Sequence, residues 1–392
     1  GDMSVAEAEC AARTRWLGKL LDELRHLRAP LIDLAARALD PEKRLTYCGR
    51  GKRLATIRKK LTEWKAMRRW LENAKGRAWP QEASDIIDYL EARAEEPCGR
   101  TIPRGAILAL GFMEEVGAFA TRWCSDPVVT GACDEISTRL EETAPGVRRQ
   151  AEQLPARVIL AMERAVVDLA LPGFARYYAW VRLVKLWAAL RFDDVRWIKP
   201  ASASLTSRGL LIALERTKTS GPGKKRQNLV AMVSQKAYLL EEHWLRTGWE
   251  VRLDLCPAGT CMLPVPCKGL QAVRGRSMTY ADAAASSQAL FGALTETGRP
   301  DGASSPSSGF EVIKADLLPL GGGGFWTEHS ERNWLVSAGA GLGFGEDTFR
   351  RVGRWGAAPT SETYVRTTRM VFDKLQETVA KRVREAGEDF MD

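Results

Sequence analysis

An otherwise helical pattern is interrupted at residues 195–233 by the stretch VRWIKPASASLTSRGLLIALERTKTSGPGKKRQNLVAMV. Residues 195–198 and 210–215 alternate apolar and polar side chains, and residues 228–233 form a short apolar run. Such patterns are typical of β-strands when turn residues bound them. Between the last two runs lies the turn sequence Ser220-Gly221-Pro222-Gly223-Lys224. The stretch therefore predicts a small antiparallel sheet inside a helical domain.

Helical patterns lie on both sides of this stretch. Apolar residues recur at helical spacing, or lie between helix start and stop signals, at residues 4–39, 53–75, 82–95, 101–122, 155–171, 173–192, 279–295 and 370–386. The fold class predicted is mainly α with a small antiparallel β-sheet.

The domain boundary is expected in a more polar region that contains Pro127, Pro145 and Pro155. Boundaries fall in such regions because few contacts cross them. We predict three parts: a helical domain at residues 1–125 with an extension of unknown role at 1–45, a linker at 126–153, and a mixed α/β domain at 154–392 that ends in the helix 370–386.

Composition excludes several protein classes. The chain has 392 residues, of which 45% are hydrophobic and 27% charged, and this balance excludes a disordered, collagenous or disulfide-scaffold protein. The sequence contains no run of about 18 or more apolar residues, so it predicts no membrane-spanning helix. The N-terminal residues are acidic and lack the apolar segment of a secretory signal. We therefore expect an intracellular protein that does not associate with a membrane.

Positive charge is concentrated in one segment. The chain carries a net charge of +9, and residues 50–77 contain eleven basic residues against two acids, Glu63 and Glu72. A concentrated positive field is typical of a surface that binds a polyanion, although a solvated helix face gives the same pattern. The candidate DNA-binding residues are Arg53, Arg58, Lys59, Lys65, Arg68 and Arg69.

Metal binding is not expected. The eight cysteines include no Cys-x-x-Cys pair. Cys256, Cys261 and Cys267 have His243 nearby in the sequence, but their spacing matches no common zinc site. Buried free thiols are the better interpretation.

Four short features contain residues that are able to do chemistry. Each has an ordinary structural explanation: an ion pair between Arg191 and Asp194, a solvated lysine at a hairpin, two polar residues on one helix face, or two core aromatics. The candidates are Arg191 with Asp194, Lys218, His329 with Arg332, and Trp355 with Tyr364.

Taken together, these residue types match the needs of metal-free phosphodiester cleavage. Two guanidinium groups can hold the negative charge that develops on the phosphate oxygens. A tyrosine oxygen can form a covalent intermediate. A lysine can protonate the leaving oxygen, and a histidine can accept or orient the tyrosine proton.

This set resembles the catalytic residues of the tyrosine recombinases, the phage-integrase family. There are 26 positions from His329 to Trp355 and nine from Trp355 to Tyr364. The resemblance is strongest over residues 185–369. It departs from the family where Trp355 replaces a common histidine, where Asp194 replaces a common glutamate, and where Ser330-Glu331 replaces an apolar residue.

The resemblance implies a role for each residue. Arg191 and Arg332 would clamp the phosphate, and Asp194 would hold Arg191. Lys218 would protonate the leaving 5′ oxygen. His329 would assist Tyr364, which would form a 3′-phosphotyrosine link, and Trp355 would donate its indole N–H.

The resemblance also implies partners and architecture. A helical core-binding domain and the catalytic domain would form a C-shaped clamp on double-stranded DNA with an inverted-repeat site, and four protomers would act on synapsed DNA. No cofactor, metal or ATP is implied. The helix at 370–386 would pack on a neighbouring protomer or on its own domain. The protein would move a mobile element, in the nucleus of a eukaryote or the cytoplasm of a bacterium.

Three other functions remain as alternatives. A type IB topoisomerase shares the catalytic design but acts alone and without a defined site. A recombinase-derived protein that only binds DNA would have lost catalytic groups, and here all are present. A metal-dependent nuclease is disfavoured because no carboxylate cluster accompanies the site.

Overall fold

The computed structural model describes residues 5–49, 51–143, 151–214, 216, 229–256, 261–298, 311–319, 322–354 and 363–387. The chain divides into two compact units. The N-terminal unit comprises Ala6–Arg149, and the C-terminal unit comprises Gln150–Asp392 together with Gly1–Val5. Within the described ranges, no helix is both long enough and apolar enough to cross a membrane.

The N-terminal unit is helical throughout its described part. Its helices are α1 (Val5–His26), α2 (Pro30–Ala36), α3 (Pro41–Thr46), α4 (Leu54–Lys75), α5 (Ala83–Glu95), α6 (Ile102–Val116) and α7 (Pro127–Thr143). Helix α4 lies at the centre, because its apolar stripe is fully buried as the helical spacing predicts. The stripe consists of Ile57, Leu61, Trp64, Met67 and Leu71.

Three sequence-based boundaries in this unit differ from the structure. The helix predicted at 4–39 ends at His26, since Arg28 has a left-handed φ of 48° and Pro30 starts a new helix. The helix expected to reach residue 122 ends at Val116. The region assigned to a linker contains α7, which buries Val129, Cys133 and Ile136 in the core of the N-terminal unit. Polar composition concealed α7 because most of its surface faces solvent.

The C-terminal unit mixes helices with short strands. Its helices are α8 (Ala156–Val167), α9 (Gly173–Trp187), α10 (Phe192–Arg196), α11 (Trp244–Leu255), α12 (Tyr280–Gly292), α13 (Ser330–Gly341), α14 (Glu346–Gly353) and α15 (Thr363–Ala386). Its strands are β1 (Ala203–Thr206), β2 (Gly209–Leu214), β3 (Leu229–Ser234), β4 (Pro264–Pro266), β5 (Val273–Ser277), β6 (Thr295–Gly298) and β7 (Glu311–Asp316).

The predicted antiparallel sheet is present, in the order β1-β2-β3. Gly209 opens β2 at a φ of 126°, where an added Cβ would lie 2.0 Å from the Val233 carbonyl oxygen. The first strand was placed wrongly at residues 195–198, and it lies instead at β1. Residues 192–196 are helical because Asp194 caps the turn by accepting a hydrogen bond from the Arg191 N–H. The hairpins β4-β5 and β6-β7 were not predicted, and the 220–224 turn lies outside the described residues.

Helix α9 is the central element of the C-terminal unit, and every residue from Tyr177 to Trp187 on it is buried. Helix α15 packs against β3, α13 and α14 of the same unit. The apolar stripe of α15, formed by Phe372, Leu375, Val379 and Val383, is buried there. Of the two alternatives for this stripe, packing on its own domain is therefore the one observed.

Candidate active site

Arg191 is placed by the corner that ends α9. Ala189 has a left-handed φ of 47°, and this turn directs the chain into α10. At the start of α10, Asp194 Oδ2 accepts a hydrogen bond of 3.0 Å from the Arg191 backbone N–H and lies 4.0 Å from Arg191 Nη1. Asp194 is buried, whereas the Arg191 side chain is 22% exposed. The guanidinium group therefore reaches from a buried carboxylate toward solvent.

Arg332 approaches the same carboxylate from α13. Its Nη1 lies 3.9 Å from Asp194 Oδ2 and donates a 2.7 Å hydrogen bond to the Ala189 carbonyl. Its Nη2 donates a 2.8 Å hydrogen bond to the Gly353 carbonyl. Two arginines distant in the sequence thus meet at one corner of the fold, with a single carboxylate between them.

A third arginine, Arg354, joins this corner and was not selected from the sequence. It follows α14 in a left-handed conformation, with a φ of 55°. Its Nη2 donates hydrogen bonds to the carbonyls of Ala188 (3.2 Å) and Ala189 (2.7 Å). In the sequence, Arg354 directly precedes Trp355. No periodicity marks it, because its burial depends on the end of α9.

The three positively charged guanidinium groups lie close together in a largely buried place, so each disfavours the charge of the others. Burial lowers the pKa of Arg332 to about 9, with repulsion from Arg191 and Arg354 adding to the effect and Asp194 opposing it. Burial also lowers the pKa of Arg354, to about 10. Three cations around one carboxylate leave a net positive site. An anionic oxygen bound there would relieve the repulsion, so the arrangement suits a phosphate group.

His329 lies one turn from Arg332. It is the N-cap of α13, its side chain is exposed, and its backbone carbonyl accepts a hydrogen bond from the Arg332 N–H at 3.2 Å. The side chain of Arg332 is buried near Asp194, whereas that of His329 is exposed.

The remaining predicted catalytic residues are placed only in part. Tyr364 lies in the first turn of α15, although its side chain is outside the described part. Lys218 and Trp355 lie outside the described residues altogether. Beside Lys218 in the sequence, the Arg216 guanidinium carbon is 3.9 Å from the centroid of the Trp197 ring, at the end of α10. This contact places Arg216 beside the end of α10, the helix that carries Asp194.

Four buried charges lie directly behind this site, and we call them the buried quartet: Arg182 and Lys185 of α9, Glu331 of α13, and Glu328 just before it. Arg182 contacts both glutamates. Lys185 Nζ lies 2.5 Å from Glu328 Oε2 and 3.5 Å from Glu331 Oε2. Burial alone would raise the pKa of Glu328, but Lys185 and Arg182 outweigh it and hold that pKa at about 2.

In the sequence, Glu331 stands out only as a departure from the pattern of the resembled family. Two basic residues three positions apart in the apolar second half of α9 were the available signal for the quartet. That signal does not identify the partners, because they are far away in the sequence: Glu328 lies 146 positions after Arg182.

Breaking the quartet should destabilise the C-terminal unit. Glu331→Ala leaves two buried cations, Arg182 and Lys185, with Glu328 as their one remaining carboxylate in the quartet, so one buried charge is uncompensated and we expect the free energy of unfolding to fall by about 3–5 kcal/mol. Glu346→Ala is the matched control: Glu346 is an exposed acid in the first turn of α14, 2.9 Å from Arg350, and its loss should cost about 0–1 kcal/mol. Urea unfolding followed by tryptophan fluorescence measures both; equal losses would contradict the expected cost of an unpaired buried charge.

The basic face of α4 contains two kinds of residue. Arg58, Lys59 and Arg69 are exposed. Arg68 and Lys65 instead contact the buried Glu23: Arg68 Nε donates a 2.6 Å hydrogen bond to it, and Lys65 Nζ lies 3.7 Å from it. Arg68 also contacts Glu72 at 2.5 Å.

Arg53 precedes α4 as its N-cap and is partly buried. Of the six candidates, Arg58, Lys59 and Arg69 therefore offer the most accessible charge, and Arg68 chiefly ties α4 to α1.

In the part of the chain that the structure describes, no group of three or more His, Cys, Asp or Glu side chains is arranged to hold a metal ion. All eight cysteines are free thiols, and Cys133 and Cys261 are buried.

No family model matches the chain. No curated protein matches its sequence. Among solved structures, the chain is similar to the XerH site-specific recombinase bound to palindromic difH substrate, with 10% identity and a TM-score of 0.47 over 96% of this chain and 95% of that one. It is also similar to the integrase from mycobacterium phage Brujita, with 13% identity and a TM-score of 0.31 over 83% and 86% of the two chains.

Proposed function

We propose that the protein is a site-specific DNA recombinase that cleaves and rejoins DNA through a 3′-phosphotyrosine intermediate. The observation that carries the proposal is the meeting of Arg191 and Arg332 at Asp194, with Arg354 bound to the same corner. A net positive, largely buried corner, with an exposed histidine three positions before Arg332, suits a phosphodiester in its transition state.

In the proposed reaction, the Tyr364 oxygen attacks the scissile phosphorus and the bond from phosphorus to the 5′ oxygen breaks. His329 accepts the tyrosine proton, and Lys218 gives a proton to the leaving 5′ oxygen. Arg191 and Arg332 hold the non-bridging oxygens, and Trp355 donates its N–H to one of them. Attack by a 5′ hydroxyl on the phosphotyrosine reverses the step, so neither metal nor ATP is consumed.

The proposed partner is double-stranded DNA with an inverted-repeat site. Exchange between two duplexes cleaves four strands, and each cleavage needs its own tyrosine, so the proposed working form is a tetramer on synapsed DNA. The biological role proposed is movement of a mobile element by integration, excision or resolution.

A type IB topoisomerase is the second candidate. The packing of the α15 stripe within its own unit favours it, because that stripe no longer needs a neighbouring protomer to cover it. A topoisomerase would cleave by the same chemistry but would leave adducts without sequence preference.

Covalent trapping on DNA tests the proposal. The protein is incubated in EDTA with a DNA library that includes the sequence flanking its own gene, denatured, and its adducts are mapped by sequencing and by mass spectrometry of the linked peptide. Adducts at one inverted-repeat site, attached to Tyr364, support a recombinase. Scattered adducts on Tyr364 support the topoisomerase, and a linkage to another residue or a need for metal contradicts both.

DNA affinity should depend steeply on salt through α4. Arg58 and Arg69 are eleven positions apart, which brings them to one helix face about 16 Å apart. The slope of log K against log[salt] is negative, and each lost phosphate contact reduces its magnitude by about 0.9, so replacing Arg58, Lys59 and Arg69 with Ala should reduce that magnitude by about 2–3.

The control for this measurement replaces Arg93, Arg100 and Arg139 with Ala, which removes three charges of the same unit that are already ion-paired with Glu96, Glu141 and Glu91. We expect the control to leave the slope unchanged in fluorescence-anisotropy titrations. If both triple variants change the slope equally, α4 is not the contact surface.

A further inference from the structure

The buried quartet connects α9, which leads to Arg191, with the segment that carries Arg332. Arg182 and Lys185 lie on α9, whose end leads through Ala189 to Arg191. Glu328 and Glu331 flank His329 and precede Arg332. The contacts of the quartet therefore join the segment before Arg191 to the first turn of α13.

Helix geometry makes this connection directional. Successive residues of a helix are rotated by about 100°, so positions three apart lie on one face. Glu331 and Arg332 lie in the first turn of α13, whereas Glu328 and the N-cap His329 lie in the turn that leads into it. Both glutamates contact α9, one from each side of the helix start. When the two glutamates are held, the rotation of the first turn is set. That rotation decides where His329 and Arg332 point.

A third element holds the quartet from the side. Ser287 of α12 donates a 2.5 Å hydrogen bond to Glu328 Oε1 and accepts one of 2.7 Å from Arg182 Nη1. The Tyr178 hydroxyl lies 3.1 Å from Ser287 Oγ and donates to the Ala283 carbonyl at 3.0 Å. Glu328 is thus constrained by α9 and α12 together, and its carboxylate has little freedom to shift.

Charges enforce register more strictly than apolar contacts do. Sliding α13 by one turn, about 5.4 Å, would separate both glutamates from their cations and leave four charges buried without partners. Apolar side chains of the same size would repack after such a shift at little cost. A buried ionic cluster at this place therefore selects one register of α13 on α9.

We propose that Arg182, Lys185, Glu328 and Glu331 are positioning residues that set His329 and Arg332 relative to Arg191. The quartet touches neither DNA nor the reacting atoms. Its effect on the rate rests on the proposed function, whereas its effect on the placement of His329 does not.

The test replaces the whole quartet with apolar residues of similar size: Arg182→Met, Lys185→Met, Glu328→Leu and Glu331→Leu. Removing all four charges leaves none unpaired, so folding should be retained. The matched control, Glu346→Leu with Arg350→Met, removes an exposed pair on α14. A second quartet variant, Lys185→Met with Glu331→Leu, keeps Arg182 and Glu328 and serves if the fourfold variant fails to fold.

The first readout is NMR of ¹³C-labelled histidine, since the chain has three histidines, His26, His243 and His329. We expect the His329 signal to shift or split in the quartet variants while His26 and His243 stay unchanged. The second readout is the rate of adduct formation on the trapped site. A misplaced catalytic group costs about 10²-fold, so we expect about a 10- to 100-fold fall with DNA affinity unchanged.

An unchanged His329 signal in a folded quartet variant overturns the positioning role. A shifted signal with a rate within about threefold of the parent chain overturns its catalytic importance. If the parent chain forms no adduct on any DNA, the proposed function fails, and the His329 signal still decides whether the quartet positions α13.

Discussion

Tyr364→Phe should abolish covalent adducts on DNA while leaving DNA affinity within about twofold of the parent chain. The change removes one oxygen, and no other hydroxyl is proposed to attack the phosphorus. The fold should tolerate it. The residues by which α15 is anchored, Phe372, Leu375 and Val379, are fully buried and begin two turns beyond Tyr364.

Denaturing gels measure the adduct, and anisotropy titrations measure the affinity. Thr363→Ala is a neighbouring control in the same helical turn, and we expect it to form adducts. Adducts that persist in Tyr364→Phe would remove Tyr364 from its role. Adducts lost together with DNA affinity would point to a disturbed α15 and not to a missing nucleophile.

Arg332→Ala should slow adduct formation by about 10²- to 10³-fold, the usual cost of removing one donor from the charge that develops in a transition state. The structure explains why the fold should survive this change. Arg354 continues to donate to the Ala189 carbonyl, and Arg191 continues to face Asp194. The substitution should therefore reduce the positive charge available to the phosphate more than it reduces the stability of the fold around Asp194.

Arg350→Ala is the control, because Arg350 is an exposed arginine of the same unit that pairs with Glu346. Single-turnover adduct formation on a suicide substrate gives the rate, and thermal melting checks the fold. A rate within about threefold of the parent chain would contradict a role for Arg332 at the phosphate. A melting temperature that falls as far as that of Glu331→Ala would assign Arg332 to stability instead.

The sequence by itself determined the features that depend on neighbours along the chain. The buried stripe of α4 follows from helical spacing, and strands β2 and β3 follow from short apolar runs beside a turn. The grouping of Arg191, His329, Arg332 and Tyr364 into one site came instead from their combined chemistry and from the resemblance to the tyrosine recombinases, whereas the helix and strand patterns are local. These patterns are readable because backbone hydrogen bonding repeats every few residues.

The tertiary structure decided what depends on residues far apart in the chain. Arg354 matters because its guanidinium binds the end of α9, 165 positions earlier. The partner of Arg68, Glu23 of α1, lies 45 positions earlier in the chain. Helix α15 was equally suited to a neighbour or to its own unit until β3, α13 and α14 were seen to cover its stripe. A charge or an apolar face specifies the type of partner it needs, and only the folded chain decides which partner lies within reach.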